Sequence, residues 1–254
     1  GGKDNVLPHR KESEELLVSE IKQTIEKEGK VLIPELGLGR AQETMLILEE
    51  AMKKNEIPKV PVYIDGMIWD INAIHTAYPE FLNSNVRIDI FQNRNPFVSE
   101  VINRVGSSAE RKKVIEGGPC IVLATSGMLM GGASVEYFRH FSSNKRNKIC
   151  FVCYQGAGSL GRQVQDGVKQ VKMNLEGNEE IIDVNLEVVT IDGLSAHAGR
   201  TELLNYSNRV QPRANRIIIN HGEQSRCLDL ASSIYKIHRV ETNVPRNLET
   251  IRLR

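Results

Sequence analysis

The sequence predicts an α/β fold in which a parallel-rich sheet is flanked by helices, and two observations carry that expectation. One local plan, a short apolar run followed by a glycine-containing polar turn and an amphipathic stretch, recurs five times. The apolar runs do not alternate with polar residues, which marks strands buried on both faces, as in parallel sheets covered by helices.

Taken in order, the chain first offers a helix over about Lys11 to Glu28, where Leu17, Ile21 and Ile25 recur four apart among charges and Gly29 stops the run. The repeated plan then reads as strand KVLIP, turn Glu35 to Arg40 and helix AQETMLILEEAMKK. It returns as CIVLA, TSGMLMGG and SVEYFRHF, and again as KICFVCYQ, GAGSLGR and QVQDGV. The polar stretch MNLEGNEEIIDV predicts a hairpin where one unit hands over to another. The boundary is therefore placed near Asn185, giving domains 1–185 and 186–254. Beyond it come LEVVTI, DGLSAHAGR and TELLNYSNRV, then RIIIN, HGEQSR and CLDLASSIYKI.

Composition narrows the class. With 254 residues the chain can bury an ordinary core, so a disulfide scaffold is excluded. Lys and Arg total 33 against 32 Asp and Glu, so no bulk positive field announces a polyanion partner, and any such partner must be met locally. Four cysteines and 26% charged residues fit a reduced, globular protein, and no apolar run approaches the ~18 residues of a membrane span. The expectation is a cytoplasmic protein without a membrane partner.

In parallel sheets the turns after the strands share the carboxyl edge, where helix N-termini present N–H groups to ligands. Arg40, Thr125, Ser126, Gln155, Arg162, Ser195, His197 and His221 are expected on such turns. Of six histidines, His197 and His221 stand apart, because small residues flank them (SAHAG, NHGE) and permit close approach of a metal or phosphate. The chain has no HxH, HxxxH or HExxH, so no complete zinc site is visible in it. Cys150 and Cys153 read as packing within a strand. Gly156, Gly158 and Gly161 spell GxGxxG, but the short helical stretch and polar sequence that follow do not match a dinucleotide unit.

LIPELGLGRAQE, YIDGMIWDINAIHTAYPEFL, LATSGMLMGG, YQGAGSLGR, LSAHAGR and NHGE, in this order, resemble the β-CASP branch of the metallo-β-lactamase nucleases. The chain is most similar to the archaeal relatives of the cleavage and polyadenylation specificity factor nuclease subunit, through the ending NLETIRLR, and the resemblance spans essentially the whole chain. It implies a β-CASP domain followed by the C-terminal portion of a metallo-β-lactamase αββα domain, with single-stranded RNA held in a cleft and two zinc ions activating water for phosphodiester hydrolysis. LSAHAGR resembles motif B, which makes His197 the catalytic histidine near the scissile phosphate, and NHGE resembles motif C, which makes His221 a zinc ligand. Thr125, Ser126 and Gly127 match a turn that contacts the RNA backbone, and Arg162 belongs to the same cleft.

The family's HxHxDH signature is not among these residues, and Gly199 stands where relatives commonly carry Asp. The resemblance therefore implies a zinc-dependent ribonuclease of RNA 3'-end processing, transcription termination or decay, with this chain inactive alone. A non-catalytic RNA-binding scaffold and a DNA-processing β-CASP nuclease are the alternatives. The tail RVETNVPRNLETIRLR contains two extended stretches, Val240 to Val244 and Leu248 to Leu253, expected to pair with a second copy in a homodimer, the alternative being that they complete the sheet of their own domain.

Overall fold

A computed structural model describes residues 10–175, 178–194 and 197–253. The described residues divide into two compact units, one within residues 10–194 and one within 197–253.

The larger unit opens with α1 (Arg10–Glu26), whose apolar spacing buries Leu17, Ile21 and Ile25. Its six-stranded sheet has the order β3-β2-β4-β1-β5-β8, built from β1 (Val31–Pro34), β2 (Val62–Asp65), β3 (Ile102–Val105), β4 (Ile121–Ala124), β5 (Lys148–Phe151) and β8 (Glu187–Thr190). Every pairing in it is parallel, and the uninterrupted apolar runs of β1 and β4 lie at its buried centre. The boundary expected near Asn185 falls inside this unit, immediately before β8. In register, Val31 faces Ile121 and Phe151 faces Thr190.

Between these strands lie α2 (Arg40–Lys53), α3 (Ile68–Ala77), α4 (Ser84–Phe91), α5 (Ser108–Glu116), α6 (Ala133–Phe141) and α7 (Leu160–Gln165). The period of two along each strand splits the core into two layers. Ile33, Ile121, Leu123 and Cys150 pack with Leu17, Met45 and Leu48 on one face. Leu32, Val122, Ile149 and Phe151 pack with Tyr137, Phe138 and Phe141 on the other. The hairpin predicted from MNLEGNEEIIDV is present as antiparallel β6 (Gln170–Leu175) and β7 (Asn178–Asp183), which add Val171, Met173 and Ile182 to the second layer. Lys148, fully buried at the start of β5, forms ion pairs with Glu20 of α1 and, at 2.9 Å, with Glu187 of β8.

The smaller unit contains α8 (Arg200–Arg209), β9 (Arg216–Ile218), α9 (Gln224–His238) and β10 (Glu241–Asn243). β9 and β10 pair in parallel, Thr242 facing Ile217, over a core of Ile219, Cys227, Ala231 and Ile234. The first of the two extended stretches expected to meet a second copy is thus taken up by β9 of its own unit. Residues 248–253 form no strand, and Leu248 and Leu253 are exposed. No helix among the described residues is long and apolar enough to cross a membrane.

Candidate nucleic-acid interface

The carboxyl ends of the four central strands, β2, β4, β1 and β5, bring four turns together, and small residues permit their contact. Gly66, which follows β2, has φ 88, and a Cβ there would stand 2.2 Å from Thr125 Oγ1. Only glycine meets both conditions. Gly37, after β1, lies against Met67 and Thr125, where an added Cβ would be 2.4 Å from Met67 Cγ and 3.5 Å from Thr125 Cγ2. At Gly127 a Cβ would meet Cys153 Sγ at 2.8 Å and the Glu35 carbonyl carbon at 3.1 Å. Thr125, Ser126 and Gly127 therefore occupy the centre of the edge, as their sequence implied.

The central turn is internally braced. Ser126 N donates to the Gly131 carbonyl, Met130 N donates to Ser126 Oγ at 2.9 Å, and Ser134 Oγ donates to the Ser126 carbonyl at 2.7 Å. Gln155, buried, donates from Nε2 to the carbonyls of Gly127 at 2.8 Å and Cys153 at 3.1 Å. Its Oε1 faces Gly161, where a Cβ would approach to 1.9 Å, so this glycine of the GxGxxG run serves packing. Among the described residues nothing hydrogen-bonds the half-buried Thr125 hydroxyl.

Two groups beneath the edge had no distinguishing motif. Glu35 is fully buried. Its Oε1 accepts from Thr44 Oγ1 at 2.6 Å, and among the described residues its Oε2 has no partner. Loss of water pushes its carboxyl up to about 8, against the opposing effects of the Thr44 hydrogen bond and nearby Arg40. Asp65, at the end of β2, accepts from Arg111 Nε at 2.8 Å and Nη2 at 3.1 Å, and from the Tyr137 hydroxyl at 3.0 Å. Arg111 also reaches Glu136 at 2.7 Å. This network joins α5 and α6 to β2 under the Thr125 turn. Cys153 lies beyond β5 rather than within a strand, its thiol 3.3 Å from the Gly127 carbonyl and pushed up to about 12 by burial. It is a packed thiol, not a nucleophile.

The two arginines expected on these turns are partnered within the chain. Arg40, the first residue of α2, forms an ion pair with Glu43. Arg162, in the first turn of α7, forms one with Asp166 at 2.9 Å. Both pairings compete with phosphate.

In the smaller unit His197 is exposed just before α8, which begins after Gly199, whose N–H donates to Glu202 Oε2 at 2.7 Å. His221 is exposed in the turn between β9 and α9, with φ 59. Ser195 lies outside the described residues. Among the described residues no three His, Cys, Asp or Glu side chains gather as a metal site. These residues do not by themselves fit the two-zinc centre that the resemblance implied.

Comparison with known proteins agrees with this architecture. The Beta-Casp domain family matches residues 41–164, and the Zn-dependent metallo-hydrolase RNA specificity domain matches residues 181–245. Three similar proteins are each named transcription termination factor FttA. That of Pyrococcus horikoshii is 50% identical over 257 residues, covering 100% of this chain and 39% of the relative. That of Methanocaldococcus jannaschii is 49% identical over 257 residues, covering 100% of this chain and 40% of the relative. That of a Lokiarchaeum is 43% identical over 256 residues, with the same shares of 100% and 40%. The chain thus spans about two fifths of the length of these relatives. With a Beta-Casp domain followed by an RNA specificity domain on a parallel-rich α/β framework, the chain belongs to the β-CASP family.

Proposed function

We propose that this chain is the RNA-holding part of a β-CASP ribonuclease acting in RNA 3'-end processing, transcription termination or decay, in the cytoplasm. The observation that supports this most directly is the succession of a Beta-Casp domain and an RNA specificity domain in a chain aligned along its whole length with proteins named transcription termination factor. The carboxyl-edge turns support it physically. A braced, glycine-permitted surface carrying the Thr125 hydroxyl and peptide groups suits an extended phosphodiester strand.

In this reading Thr125, Ser126 and Gly127 contact the RNA backbone, and Arg40, Arg162 and Ser195 are further RNA contacts. His197 hydrogen-bonds the scissile phosphate or protonates its leaving oxygen. His221 is the donor that this chain contributes to a zinc centre whose other ligands are not among the described residues. Hydrolysis belongs to a protein that supplies them, and the chain alone binds RNA without cutting it. The exposed Leu248 and Leu253 are the contacts of a homodimer.

Titrating the chain with a single strand of RNA and the DNA of matched sequence tests the reading. RNA bound without cleavage, and more tightly than DNA, is expected. Equal or tighter binding of DNA would favour a DNA-processing enzyme. Metal-dependent cleavage by the chain alone would overturn the division of labour.

A further inference from the structure

Around the glycine turns stands a set of exposed apolar side chains. Leu36 and Leu38 follow β1, Met67 follows β2, Met130 follows β4 and Tyr154 follows β5. They are 52%, 65%, 57%, 68% and 52% exposed. Their strands are neighbours in the sheet, so the side chains form one shelf rather than scattered spots. Met67 lies against Gly37, and the Tyr154 ring and Met128 lie against Gly156. At the usual strand spacing the shelf runs roughly 14 Å across the sheet.

The four turns hold no exposed charge. Residues 35–39, 66–69, 125–132 and 152–161 contain a single ionisable carboxylate, that of buried Glu35; the exposed Asp70 follows the second turn, and the arginines that follow the first and last, Arg40 and Arg162, are each paired with an acid. Phosphate therefore finds hydroxyl and peptide groups at this edge but no unpaired cation in these turns. The shelf is polarisable and uncharged, and the faces of nucleobases are suited to such a surface.

We propose that Leu36, Leu38, Met67, Met130 and Tyr154 form a base-binding shelf on which unstacked bases of single-stranded RNA lie, while the adjoining Thr125 turn holds the backbone. The proposal rests on the RNA-binding reading above. It adds a second source of affinity, tolerant of sequence because every base has a π-face, and insensitive to salt because no ions are released. The hydroxyl of Thr125, in the middle of the shelf, places a polar contact beside the apolar one.

The test compares the chain's affinity for a short labelled oligouridine with that for the abasic ribose-phosphate oligomer of equal length, by fluorescence anisotropy. Oligouridine should bind about five-fold more tightly or better. Leu38→Gln and Met130→Gln alter side chains that are mostly in solvent, so the fold is kept. Each should cut the preference for bases by about two-fold or more without changing abasic affinity. Tyr154→Ala, checked for folding by circular dichroism, should cut it further.

Equal binding of both oligomers would leave the backbone-binding reading standing and overturn the shelf. Binding of neither would remove both. Unchanged base preference in the variants, with a loss of self-association seen by light scattering, would assign the surface to a second copy and overturn the proposal.

Discussion

The side-chain amide of buried Gln155 donates to the Gly127 carbonyl at 2.8 Å, so the turn after β5 holds the turn after β4 in place. Gln155→Ala removes the amide donor of that carbonyl and leaves it the weaker Cys153 thiol, 3.3 Å away. A cost of about 1–3 kcal/mol is expected, read as a lower urea midpoint with unchanged m-value. RNA affinity should fall with it, because the Gly127 turn loses its brace.

Glu35 makes stability depend on pH in a defined direction. Its carboxyl titrates at about 8 in the folded chain against 4.5 for the ordinary group. The folded state therefore holds more protons than the unfolded one between these values, and Glu35 erodes stability as pH rises through that window. The slope approaches about 1.4 kcal/mol per pH unit. Glu35→Gln, which cannot ionise, should flatten the curve between pH 5 and 8. Parallel curves for the two proteins would refute the assignment.

The Asp65–Arg111 pair should matter far more than pairs at the surface. Arg111→Ala strands a carboxylate that is nearly inaccessible, at an expected cost of about 3–5 kcal/mol. Arg94→Ala removes an exposed partner of Asp89 and should cost under about 1 kcal/mol. Similar losses in both variants would show that burial of the Asp65 network is not what stabilises it.

Purified chain should retain only substoichiometric zinc after dialysis, since no three donors converge among the described residues. Metal analysis checks this. Stoichiometric zinc that survives dialysis and is lost in His221→Ala would contradict it.

Removing residues 247–254 should convert a dimer to a monomer while leaving the smaller unit folded, because β10 ends at Asn243 and is already paired with β9. Light scattering gives the mass. An unchanged dimer, or a parent that is itself monomeric at micromolar concentration, would sink the homodimer.

The sequence by itself determined the strand-turn-helix plan and the parallel character of the sheet. Unbroken apolar runs such as IVLA and VLIP suit strands covered on both faces, and this depends on residues adjacent in the chain. The same local logic located the Thr125–Gly127 turn and the hairpin. It did not mark β2 and β3 as strands, since VYID and INRV carry polar residues among the apolar ones. Tertiary structure alone decided that β4 lies between β1 and β2, which is what makes one surface of four turns. It also decided what the charged residues do. Arg111 meets Asp65 from 46 residues away, and Arg40 and Arg162 turn to acids on their own helices. Glu35, a polar residue in a turn by its sequence, is fully enclosed because α2 and the Gly127 turn close over the end of β1. Burial and long-range pairing are properties of the packed chain, and neither leaves a periodic trace in the order of residues.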